Sequence, residues 1–110
     1  TVAQKRPKKE SAALKGFEDH YRQGLVKINQ GDHAGAVKVL EKALEYKERE
    51  GQVNYLLADA HCLMGQHDAA LDFLRKAVQK DKHFAVLAQN EVDFEPVWED
   101  KKFKLITKLA

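Results

Sequence analysis

Any chemistry in this sequence would come from its five histidines, its single cysteine and its carboxylates. His61 and Cys62 are adjacent, with His67 five residues after Cys62. Imidazole with thiolate is a ligand set for zinc and also a nucleophile with its base. The spacing opposes both uses, because neighbours on a helix point about 100° apart whereas ligands sharing one face are three or four residues apart. No glycine-rich elbow, cationic cluster or partnered acid accompanies Cys62, which reads as a small apolar packing residue. His33 and His67 fall in equivalent turns, so repetition of a scaffold accounts for both. Asp68 and Asp72, like Glu41 and Glu45, are four apart but interleaved with lysine and arginine, the composition of a solvated helix face. With no phosphate-cradling loop, zinc motif or dinucleotide fingerprint, the chain reads as a non-enzyme without catalytic residues, metal site or cofactor.

The elements behind these residues emerge when the chain is slid over itself by 34 positions. Tyr21 then meets Tyr55, Gly31 meets Gly65, His33 meets His67, Ala36 meets Ala70, Leu40 meets Leu74 and Ala43 meets Ala77. Val37 falls on Leu71, Lys42 on Lys76 and Gly24 on Ala58. Ala36, Leu40, Ala43 and Leu44 form an apolar stripe of helical period, repeated by Ala70, Leu74, Ala77 and Val78. Gly31 and Gly65 each follow such a pattern and precede a polar residue, which suits a left-handed helix C-cap before a short turn. The fold class is therefore all-α, two helical hairpins built on one repeat, with small residues at Gly24, Ala36, Ala43, Ala58, Ala70 and Ala77 letting paired axes approach.

The pattern predicts helices over 11–29, 33–48, 52–64, 67–80 and 84–91, then 94–109 broken near Trp98 to Asp100. Ser11 and Asp93 are the expected N-caps, and Pro96 is expected in a first turn, where its missing N–H is harmless.

The 34-residue period, with Gly31-Asp32-His33-Ala34-Gly35-Ala36 answering Gly65-Gln66-His67-Asp68-Ala69-Ala70 and Leu40-Glu41-Lys42-Ala43 answering Leu74-Arg75-Lys76-Ala77, resembles the tetratricopeptide repeat (TPR). It departs from that pattern at Glu48 and Lys82, where a proline often follows the second helix, and at Gln23 and Gly24. The resemblance divides the chain into a basic extension (1–16), two repeats (17–50 and 51–84) and capping helices (85–110), an α-α superhelix forming one folded domain. Residues 93–109 look like the segment that closes bacterial arrays of this kind, with Phe94, Val97, Trp98, Phe103, Leu105, Ile106 and Leu109 covering the last hairpin. The resemblance also implies that the first helix of each hairpin lines a concave groove that holds a peptide or helix of a partner protein. The groove residues are then Tyr21, Leu25, Ile28 and Asn29, followed by Tyr55, Asp59, Cys62 and Gln89. The stripe is aromatic and aliphatic, so it is unlike the subgroup that grips C-terminal carboxylates with lysine and asparagine.

Composition agrees with one folded helical unit: 110 residues, 44% hydrophobic and 33% charged. The net charge of +2 is unevenly spread, with +4 on residues 1–15, +3 on residues 100–110 and −5 between them. Lys5, Arg6, Lys8 and Lys9 form a basic tail that offers a second contact, to an anionic surface or a larger assembly. The acidic body argues against a nucleic-acid groove, and no base-stacking aromatics accompany the lysines. The expected function is a scaffold or adaptor binding a protein or peptide, as a subunit of a complex or with self-association; the alternative is an anionic-surface or nucleic-acid-associated assembly factor working through its Lys-rich ends. No apolar run approaches the ~18 residues of a membrane span. One cysteine and no initiator methionine suit a cytoplasmic protein or, after leader removal, a periplasmic or organellar one.

Overall fold

A computed structural model describes residues 8–108, with only the backbone of residues 8–11. Six α-helices follow in order: α1 (Lys8–Asn29), α2 (His33–Leu44), α3 (Glu50–Leu63), α4 (His67–Lys80), α5 (His83–Asn90) and, after a 3₁₀ helix (Val92–Val97), α6 (Lys101–Ile106). α1 pairs with α2 and α3 with α4, and α3 also packs on α2 and touches α1. No described helix is long and apolar enough to cross a membrane.

The two hairpins turn at the glycines the period singled out. Gly31 and Gly65 adopt φ of 82° and 77°. Around Gly31 the N–H of Asp32 reaches Lys27 O and that of Gly31 reaches Ile28 O; Gln66 to His61 and Gly65 to Cys62 repeat the pair. Each is a Schellman closure, which satisfies the last carbonyls of the preceding helix. The second helices then start differently. Asp32 Oδ1 accepts from Gly35 N at 3.0 Å, whereas Gln66 makes no side-chain cap. A Cβ at position 35 would run into the Asp32 carboxylate, so Gly35 leaves it room that Ala69 would not.

Burial follows the helical stripes. Phe17, Ala36, Leu40, Ala43, Val53 and Leu57 form one core; Ala58, Cys62, Ala70, Leu71, Leu74 and Ala88 join Phe94, Val97 and Phe103 in a second. α3 contributes to both and is buried on most sides, as a helix packed between neighbours must be. Gly24 is needed where α1 meets α2, because a Cβ there would lie 2.5 Å from Leu40 Cδ2.

Four boundaries differ from the sequence expectation. α2 stops at Leu44 rather than 48, and α3 begins at Glu50. Between them Lys47 and Arg49 take φ of 57° and 45°, left-handed positions that break the helix. The strain at Arg49 is offset by contacts of its guanidinium, 5.5 Å from the Phe17 ring centre and 5.8 Å from that of Tyr21, with an ion pair to Glu18 at 3.0 Å. Ser11 lies inside α1 and is no cap. In place of one helix over 94–109, Glu91 caps the 3₁₀ helix, so Asp93 is not the N-cap, and Pro96 sits in its second half. The cap in this segment is Asp100, whose Oδ1 accepts from Lys102 N at 2.8 Å.

The lid still closes the stack. Phe94, Val97 and Phe103 are buried, Trp98 and Ile106 pack against them, and Trp98 Nε1 donates to Ala88 O at 3.0 Å. Leu105, expected to cover the hairpin, is instead 73% exposed, and Leu109 lies outside the described residues.

Candidate functional site

On the first helices the two tyrosines are half-buried, each held by another aromatic ring. Tyr21 stacks on Phe17 with centroids 5.5 Å apart. Tyr55 stacks on Phe84 at 5.3 Å and meets the lid residue Phe94 at 5.5 Å. Both therefore pack and present an edge, the rigid amphipathic character favoured at interfaces. The Arg49 guanidinium lies 5.8 Å from the centre of the Tyr21 ring, so the first tyrosine has a cation beside it while staying partly open to solvent. Leu25 and Ile28 are half-buried and Asn29 is exposed, continuing the stripe along α1.

The second half of the stripe is more acidic and more enclosed than its sequence suggests. A cavity of about 390 Å³ is lined by Tyr55, Leu56, Asp59, Leu87, Asn90 and Glu91. Asp59 is 7% exposed and Cys62 4%, so both sit inside the fold instead of on an open groove. Gln89 is not next along this surface: its Nε2 donates to Thr107 O at 3.2 Å, and it lines a separate recess with Trp98 and Phe103. Leu87, Asn90 and Glu91 take its place. α5 is short and passes directly into the 3₁₀ turn, a segment that the 34-residue register does not describe.

Asp93, read from sequence as a cap, approaches Asp59 together with Glu91, one carboxylate oxygen of each lying within 4.8 Å of the others. Burial first, then the Asp93 carboxylate and then Glu91, pushes the Asp59 carboxyl up from 3.8 to about 8. Burial and the same Asp93 raise Glu91. Burial, then Asp59 and Asp93, pushes the Cys62 thiol up to about 11, which keeps it protonated and unreactive. The Tyr55 hydroxyl is raised as well, by burial and then by Glu91, Asp59 and Asp93. The sequence signal for this cluster was Asp59 itself, a lone acid inside the apolar run Leu57, Ala58, Ala60.

The histidine and cysteine that invited a chemical reading diverge. His61 stacks on Phe73 at 5.2 Å and its Nδ1 is 2.6 Å from Gln66 Oε1, while Cys62 faces the core. Lys5 and Arg6 lie outside the described residues, as do the side chains of Lys8 and Lys9.

The family model described as tetratricopeptide repeat matches residues 27–89, more than half of the chain. Neither the curated proteins nor the solved structures give a match. Hairpins of one 34-residue period, turned at Gly31 and Gly65 and matched by that family over both second helices, place this chain in the tetratricopeptide repeat family.

Proposed function

We propose that this protein is a scaffold or adaptor that binds a partner peptide or helix along the face of α1 and α3, with no catalytic step of its own. Repeats of this family are in general protein-interaction modules. The observation that carries the finer reading is the half-buried stripe of Tyr21, Leu25, Ile28 and Tyr55, apolar residues pinned by their neighbours yet still reached by solvent. Preorganised aromatic anchors lose little freedom on binding, which favours affinity. The test is selection of binding peptides from a random displayed library against the whole chain, followed by NMR mapping. Resonances of Tyr21, Leu25, Asn29 and Tyr55 should shift, and Leu25→Glu, which alters neither apolar core, should weaken binding at least tenfold. Peptides that leave α1 and α3 untouched would remove the groove.

A second reading has one observation in its favour. A concavity of about 670 Å³ lies between α4 and α6 and is bordered by Arg75, Lys80, Lys82 and Lys108 around Val78, Leu105 and Ile106, with Asp81 the one acid in its lining. An anionic surface docking there would bind with steep salt dependence, and shifts confined to α4 and α6 would support it over the groove.

A further inference from the structure

Asp59 comes from α3, Glu91 ends α5 and Asp93 belongs to the lid turn, so the three carboxylates within 4.8 Å of one another stand on both sides of the seam between the second hairpin and its lid. Among the described residues none of the three pairs with a lysine, arginine or histidine. Asp59 is more than nine-tenths buried, and its Oδ1 is sealed from solvent without a hydrogen-bond donor. A buried carboxylate oxygen without a donor is costly, and two further carboxylates beside it add repulsion. A cation held between the three would supply the missing partner and offset the repulsion.

The geometry and the donor chemistry narrow which cation. Oxygen ligands stand ~2.1–2.6 Å from a hard divalent ion, so ligands on opposite sides of it are roughly 4–5 Å apart, the reach of this cluster. The donors are all carboxylate oxygens, which select calcium or manganese over the thiolate- and imidazole-seeking metals. The Cys62 sulfur is not among the atoms that meet there. The cavity beside Tyr55 opens on Asp59 and Glu91, giving an entry path and space for coordinating waters.

We propose that Asp59, Glu91 and Asp93 form a binding site for one hard divalent cation, calcium or manganese, which ties the lid to α3. This site stands apart from the peptide-binding reading and does not depend on it.

The test uses the full chain, stripped with chelator and titrated with calcium chloride or manganese chloride by calorimetry and thermal unfolding. One equivalent should bind saturably and raise the unfolding temperature, with magnesium weaker because it gives up its waters reluctantly. Terbium bound at the same place should luminesce when excited through Tyr55, and calcium should compete it away. Asp93→Asn and Glu91→Gln should each fold at least as well without metal, since repulsion is relieved, yet lose at least tenfold in affinity. Glu95→Gln, on the same turn but outside the cluster, should bind like the parent chain. Absence of saturable binding at millimolar calcium and manganese would overturn the proposal. So would binding that survives in both Asp93→Asn and Glu91→Gln, or that Glu95→Gln weakens equally.

Discussion

Phe94→Ala tests whether two repeats stand only with their lid. Phe94 is fully buried and touches both Tyr55, at 5.5 Å between centroids, and Phe103, at 6.5 Å. Truncating a fully buried phenylalanine costs about 3–5 kcal/mol through lost transfer energy and the cavity left behind. Two aromatic contacts, worth ~0.5–1.5 kcal/mol each, put this site toward the upper part of that range. A domain of this size is stable by only about 5–15 kcal/mol, so the change removes a large fraction of the total. Leu105→Ala is the matched control: it lies in the same lid but is 73% exposed, and its loss should stay within about 0.5 kcal/mol. Urea unfolding followed by far-ultraviolet circular dichroism measures both, and Trp98 fluorescence reports the lid separately. If the lid is integral, the two signals move together in the parent chain and fall together in Phe94→Ala. A cost below ~1 kcal/mol for Phe94→Ala, against the core-truncation range, would refute the reasoning, as would an equal cost for Leu105→Ala. Removal of residues 93–110 should leave an aggregating or molten product, read by dye binding and light scattering.

Ala70→Leu and Ala77→Leu each place a larger side chain where the parent residue is fully buried between paired helices, so each should lower stability by ~1–3 kcal/mol in the same urea assay. Gly31→Ala and Gly65→Ala keep open space around the new methyl but force an L-residue to φ near 80°, which should cost about 1 kcal/mol apiece. In chelator, the raised Asp59 carboxyl holds its proton in the folded state beyond the pH at which the unfolded chain releases it. Its contribution is therefore complete below the unfolded value of 3.8 and lost as pH rises through about 8. Asp59→Asn imitates the protonated form, so parent and variant should match at about pH 3, and the variant should become the more stable as the pH rises above 3.8, by on the order of a few kcal/mol at about pH 9. Parallel stability curves would show that Asp59 does not titrate this way.

The hairpins were legible because a 34-residue repeat and two glycines at left-handed turns are written into local sequence. The linker was not, because Glu45-Tyr46-Lys47-Glu48-Arg49 is composed of helix-compatible residues. What stops α2 there is tertiary: Arg49 reaches Glu18, 31 residues away, and covers two rings of α1. The lid residues were largely identifiable from their apolarity, but their turn type was not, and with it went the position of Gln89 and the approach of Asp93 to Asp59. Periodicity places a residue on a face; it does not tell which residues of a non-repeating segment will meet that face.

The closure by Phe94, Val97 and Phe103 also gives the stack a direction in which it can lengthen. Another hairpin added after α5 would have to displace a packed aromatic cluster. One inserted between Leu44 and Glu50 would meet α2 on one side and α3 on the other, the two surfaces that already recognise each other in this chain. An insertion in the interior keeps that seal intact, so the stack can lengthen from within while its last turn stays the same.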